Sequence, residues 1–161
     1  METITFIRRA KYTDATNMIS AHRRSIREVC SKDYTPEQIA AWSGRNFQEE
    51  HWKKTMDSDH VWVISDKEDN IYGFGHLKFN QISESEIAGL YFVPEVIGLG
   101  IGKTLIKIIF NECKKRSIQT VSLTATKTAK RFYQNAGFEQ IGPSASIKIG
   151  GLEIECFNMK A

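Results

Sequence analysis

Apolar residues recur along this chain in two rhythms. Polar and apolar residues alternate from Thr3 through Phe6, and Thr3 to Arg8 is predicted as a strand. A helical spacing takes over at Ala15, Met18, Ile19, His22, Ile26 and Val29, after a cap at Thr13 or Asp14. The opposite side of that helix carries Arg23, Arg24 and Arg27, which read as a solvated face, the alternative being contact with a bound molecule that carries an anionic group. Thr35-Pro36-Glu37-Gln38 is a helix start: Thr35 at the N-cap, Pro36 at the first helical position and Gln38 closing a capping box. A short helix to Trp42 follows, then another over Phe47 to Met56 bearing Trp52. Strands are expected at Val61 to Ser65 and Ile71 to Phe79, joined by the polar turn Asp66 to Asn70, and at Glu86 to Val93, stopped by Pro94.

The second half runs from a long amphipathic helix, Gly102 to Arg116, into a strand at Ile118 to Thr124. Thr126 or Thr128 then caps a short helix to Ala136, with Gly137 where a left-handed C-cap belongs. Strands at Ile141 to Ile149 and Leu152 to Met159 flank the hairpin turn Gly150-Gly151. This order predicts one mixed α/β domain over residues 1–161, with antiparallel hairpins around a central β-α-β-α stretch. The crossover helix makes its two neighbouring strands parallel.

Composition narrows the class without naming a function. At 161 residues, 41% hydrophobic and 25% charged, the chain fits one globular domain with a real core. A net charge of +3 is too small to argue for nucleic acid. The three cysteines, Cys30, Cys113 and Cys156, are far apart and form no CxxC pair, so reduced thiols and a cytoplasmic setting are expected. No run of 18 apolar residues and no signal-peptide core is present, so no membrane partner is expected. The four histidines, His22, His51, His60 and His76, show no ligand spacing, and no metal is implied.

The chemistry concentrates in Leu90 to Thr104, LYFVPEVIGLGIGKT. A strand meets a proline, glycines follow at Gly98, Gly100 and Gly102, and a helix begins. Glycines admit a ligand close to the main chain, and the first turn of a helix leaves N–H groups without partners. Together with the helix dipole these favour phosphate. Two nucleotide loops fail on counting. A P-loop ending in Gly102-Lys103-Thr104 needs glycine at position 97, which is Ile97. The dinucleotide fingerprint needs G-x-G-x-x-G, and the acid about 20 residues on is replaced by Thr120, Val121 and Ser122. The plainer alternative is a glycine-rich turn without a ligand.

These elements, in this order, resemble the GCN5-related N-acetyltransferase (GNAT) superfamily. Its signature Q/R-x-x-G-x-G/A is matched by Ile97-Gly98-Leu99-Gly100-Ile101-Gly102, with Ile97 in place of the polar residue. Glu86-Ile87 and Leu90-Tyr91-Phe92 are similar to the strand that carries an acidic start and a pantetheine-binding edge. Ala129, Phe132-Tyr133 and Gly137-Phe138 are similar to its second motif, A-x-x-F-Y-x-x-x-G-F. Tyr34 to Trp42 looks like a Y-[ST]-P-x-Q-[IL]-x-x-W block of one bacterial branch; its plainer reading is helix capping and core packing of Tyr34, Ile39 and Trp42.

The resemblance implies a central, mostly antiparallel sheet with a parallel, splayed strand pair and helices on both faces. It implies an acetyl-CoA-dependent N-acetyltransferase that passes an acetyl group directly to a small-molecule or peptide amine. The alternative is a CoA-binding or sensing module without transfer. Dimers are common in the family, so a homodimer is compatible with it. Gly98, Leu99, Gly100, Ile101, Gly102 and Lys103 would grip the pyrophosphate. Leu90, Tyr91 and Phe92 would face the pantetheine arm, with the Phe92 N–H as an oxyanion donor. Thr126 stands where many members have Asn on the cofactor; Lys127, Lys130 and Arg131 are further candidates for phosphate charge. Tyr133 would protonate the departing thiolate, and Glu86 would accept the amine proton through water, with His76 as a second candidate. Tyr34 and Trp42 are candidates for the acceptor pocket.

Overall fold

The computed structural model describes residues 4–161. Strands β1 (Phe6–Arg9), β2 (His60–Ser65), β3 (Ile71–Gln81) and β4 (Glu84–Phe92) form an antiparallel run. Next come β5 (Thr120–Thr126), parallel to β4, and β8 (Leu152–Lys160), antiparallel to β5. Short β6 (Glu139–Gln140) and β7 (Ala145–Ile149) both pair with β8. The eight strands make one sheet, ordered β1-β2-β3-β4-β5-β8-β6. Among the described residues five α-helices pack on it: α1 (Ala15–Val29), α2 (Pro36–Ser43), α3 (Glu49–Ser58), α4 (Ile101–Lys115) and α5 (Lys130–Asn135).

Strand alternation sorts the core into two layers. Val61, Val63 and Phe74 pack under Ala15 and Met18 of α1 and Trp52 of α3. Trp62, Ile64, Leu77 and Ile87 point the other way, onto Leu105, Ile106 and Ile109 of α4. Each such side chain removed from water contributes about 1.5–3 kcal/mol. Helix α4 lies so close that a Cβ on Gly75 of β3 would sit 2.8 Å from Leu105 Cδ2. A third cluster joins Ile26, Cys30, Tyr34, Ile39 and Trp42 to Ile149 and Ile154 of the last hairpin. The capping box forms as the spacing predicts: Gln38 N–H donates to Thr35 Oγ1 at 3.2 Å, and Thr35 N–H to Gln38 Oε1 at 2.9 Å.

Of the boundaries that differ from the sequence reading, three have a clear physical cause. Asp14 does not cap α1; a 3-10 turn, Tyr12–Asp14, precedes the helix. The Asp14 carboxylate turns back to accept from the Lys11 N–H at 2.8 Å and from Arg8 Nη1 and Nη2 at 2.8 and 3.0 Å. Strand β5 starts at Thr120 rather than Ile118, because the chain leaves α4 through Ser117 at φ +56° and returns the Ile118 N–H to Cys113 O. The strand expected from Ile141 begins at Ala145, since Gly142 at φ +71° and Pro143 interrupt pairing. The start of the first expected strand, Thr3, lies outside the described residues.

The Arg8–Asp14 pair carries a prediction. Asp14 is 2% exposed. Burial raises its carboxyl pKa, but the Arg8 and Lys11 hydrogen bonds outweigh burial and hold it below the usual carboxylate range. Asp14→Ala should cost about 3 kcal/mol at pH 7, the low end for a broken buried pair, because Arg8 keeps a quarter of its side chain in solvent. A depressed folded-state pKa stabilises fully above the unfolded value of about 3.9 and is lost as pH falls through the folded value. Urea melts at falling pH should therefore show part of the acid destabilisation disappear in this variant.

Candidate active site

Strands β4 and β5 are paired only over Glu84–Ile87 and Thr120–Leu123. Beyond that point β4 continues on β3, β5 continues on β8, and the two separate. A bulge marks the parting: His76 and Leu77 are neighbours on β3, yet their partners Gly89 and Ile87 skip Ala88. The separation leaves one edge of β4 without a ladder. Val93 N–H donates to Tyr72 O at 2.9 Å, so by alternation the N–H groups of Leu90 and Phe92 point into the gap.

The gap opens into a cleft of about 470 Å³. One wall is β4, with Leu90, Tyr91 and Phe92; another is Thr126, Phe132 and Tyr133. The glycine loop forms its mouth, contributing Ile97, Gly98, Gly100, Ile101, Gly102 and Lys103. Gly98 and Gly100 adopt φ of +82° and +79°, a region that suits glycine, and a Cβ on either would meet nothing within 4 Å. The first backbone bond of α4 runs from Thr104 N–H to Gly100 O at 3.1 Å, leaving the N–H groups of Ile101, Gly102 and Lys103 free for a ligand. The Thr104 hydroxyl donates back to the same carbonyl at 3.1 Å, so the GKT ending serves the helix. Open space before a cluster of free donors, leading to an unpaired strand edge, fits the pyrophosphate and extended arm of a CoA thioester.

Tyr133 is buried in the cleft wall between Phe132 and Phe138, and its hydroxyl has no hydrogen-bond partner among the described residues. Burial, with Tyr91 nearby, pushes its phenol far above the ordinary tyrosine value, so it stays protonated. Burial likewise pushes Tyr91 up to about 12. Behind Tyr91 lies His22, ring centroids 4.5 Å apart. Burial, then Arg45, Arg23 and His51, lower His22 to about 4, so it is neutral near pH 7. The Thr126 hydroxyl accepts from the Ala129 N–H at 3.1 Å, which orders the turn into α5.

Other expected residues stand elsewhere. Leu99 is exposed and is not among the residues lining the cleft. Glu86 lies just before the parting, on the face opposite Ile87, and does not line the cleft. Its carboxylate makes no hydrogen bond or ion pair among the described residues. Tyr34 and Trp42, the acceptor-pocket candidates, are not among the residues lining the cleft either. They pack edge to face at 5.4 Å in the third core cluster. The Tyr34 hydroxyl is used up between Lys127 N–H and Glu155 O. Lys127 and Lys130 lay their ammonium groups over the rings of Tyr34 and Phe157. His76 is held by Asp59 at 2.8 Å. Among the described residues no group of three or more metal-ligating side chains is gathered.

A further wall comes from α1 and the turn after it: Ser25, Val29, Cys30 and Lys32. Helical spacing places Ser25 and Val29 on one face, but only the strand parting reveals that this face meets the cleft.

A parted parallel strand pair, a glycine loop at a helix start and a tyrosine on the facing wall surround one cleft, in a fold of the acetyltransferase class. The family model described as an acetyltransferase (GNAT) domain matches residues 30–154, and the chain belongs to that family. Among curated proteins it is 26% identical over 135 residues to the uncharacterised N-acetyltransferase YafP of Escherichia coli K12, covering 84% of this chain and 81% of that one. A GCN5-related N-acetyltransferase structure from Rhodopseudomonas palustris superposes with a TM-score of 0.84 at 19% identity, covering 99% and 96% of the two chains. The PaiA N-acetyltransferase of Thermoplasma acidophilum, solved in complex with coenzyme A, gives 0.79 at 22% identity, covering 98% of both. No helix among the described residues is long and apolar enough to cross a membrane.

Proposed function

We propose that this acetyltransferase moves the acetyl group of acetyl-CoA directly to a primary amine held in the same cleft. The observation that carries this reading is the continuity of the glycine loop, the unpaired β4 edge and Tyr133 around one cavity. Acetyl-CoA supplies the thioester. Backbone donors from Gly98 to Lys103 bind its pyrophosphate, and Leu90 and Phe92 offer main-chain groups to the pantetheine arm. The Phe92 N–H is aimed where negative charge develops on the thioester oxygen. Tyr133 holds a proton for the departing sulfur. Ile97 leaves pyrophosphate recognition to the main chain.

Glu86 is the proposed acceptor of the amine proton. It lies outside the cleft lining, so it acts through water. Glu86→Gln should lower kcat/KM about tenfold, near the bottom of the general-base range. An unchanged kcat/KM would leave deprotonation to solvent. The reading as a whole is tested by acetyl-CoA-dependent release of CoA across amines, peptides and aminoglycosides. Turnover with at least one acceptor is expected. Binding of acetyl-CoA without release above background would make the protein a CoA-binding module instead.

A further inference from the structure

The α1 wall bears on which amine the cleft accepts. Among the described residues, those lining the cleft include no Asp or Glu; their only charged side chains are Lys32 and Lys103. Lys103 stands at the start of α4, beside the loop that faces the pyrophosphate. Lys32 stands on the 3-10 turn Cys30–Lys32, at the other end of the wall formed with Ser25 and Val29. Neither lysine makes an ion pair among the described residues.

The turn that carries Lys32 is fixed in place. Asp33, which follows it, accepts from the Thr128 hydroxyl at 2.7 Å, and Tyr34 bridges Lys127 N–H and Glu155 O at 2.8 and 2.7 Å. Of the nearby acids, Glu28 and Glu95 are engaged by Arg24, and Asp33, which does not itself line the cleft, accepts from the lining residue Thr128. The buried Ser25 hydroxyl lines the cleft and has no hydrogen-bond partner among the described residues. The wall therefore offers a free hydroxyl, the apolar Val29 and an unpaired ammonium. A polycation would meet an unneutralised charge of its own sign and no carboxylate; an anionic group would complete a charge-assisted hydrogen bond.

Resting on the transferase reading above, we infer that the acceptor is a small amine that also bears an anionic group, a carboxylate or a phosphate, and that Lys32 selects it. Polyamines are excluded by the same wall.

Steady-state CoA release at saturating acetyl-CoA tests this with matched pairs: free amino acids against their C-terminal amides, phosphoethanolamine against ethanolamine, and spermidine and spermine. The anionic member of a turned-over pair should exceed its neutral partner by about tenfold or more in kcat/KM, and should exceed both polyamines. The amino-acid and phosphoethanolamine arms separate carboxylate from phosphate. Lys32→Gln should erase the preference while the Kd for acetyl-CoA stays within about twofold. Equal rates for neutral partners or polyamines would overturn the inference. So would a Lys32→Gln variant that loosens acetyl-CoA and keeps the preference, because Lys32 would then serve a cofactor phosphate. If no pair is turned over, ligand-observed NMR of the same pairs with the CoA complex decides, and equal binding overturns the inference. Failure of acetyl-CoA itself to bind would count against the transferase reading instead.

Discussion

Tyr133→Phe is expected to lower kcat about a hundredfold or more while leaving the Kd for acetyl-CoA within about twofold. The substitution removes one oxygen and keeps the ring, whose centroid lies 5.3 Å from Phe132 and 5.7 Å from Phe138. Packing and the shape of the wall are therefore retained. The lost hydroxyl faces the cleft without a protein partner, so no structural bond breaks with it. Burial keeps that phenol protonated throughout the neutral range, which is what a proton donor to a departing thiolate requires. Single-turnover CoA release together with calorimetric binding separates the two quantities. Unchanged turnover with normal binding would leave Tyr133 as a packing residue and remove it from the chemistry.

Gly102→Val is expected to weaken acetyl-CoA binding a hundredfold or more. A Cβ at this position would stand 3.0 Å from two carbons of the Phe132 ring and 3.4 Å from Phe92 Cε2. Both rings line the cleft, so whichever side chain yields, the passage between the loop and the strand edge narrows. The loop must also shift, which misaligns the free N–H groups of the first turn. Two lost charge-assisted hydrogen bonds at about 1.5–3 kcal/mol each amount to that loss of affinity or more. Stability should fall by only about 1–3 kcal/mol, as in other overpacked sites, so a folded variant remains available for titration. Tight binding by a folded variant would place the cofactor elsewhere than in this loop.

What was legible in the sequence was local. Three alternate glycines before an amphipathic helix announce a backbone anion site, and Thr35 to Gln38 announce their cap, because each needs only neighbours along the chain. Asp14 shows the limit. Its position at a helix start suggests a cap, and only the pairing of β1 with β2 brings the Arg8 guanidinium into a place where it captures the carboxylate. Tyr34 and Trp42 show the same limit. Two aromatics flanking a short capped helix look available to a ligand, yet the β7–β8 hairpin, more than a hundred residues further on, buries both. Lys32 was invisible for a related reason. The resemblance implies a splayed strand pair, but nothing near Lys32 in sequence tells that the parting falls after Ile87 and Leu123 or that it brings Lys32 to the cleft.

The central claim is that the loop amides and the β4 edge bind the CoA thioester. Titrating the isotope-labelled protein with acetyl-CoA and following backbone amide shifts tests it most directly. The largest saturable shifts should fall on Gly98, Gly100, Gly102 and Lys103 and on Leu90 and Phe92, with a single site. No saturable shift at millimolar acetyl-CoA, or shifts gathered outside the cleft, would contradict it.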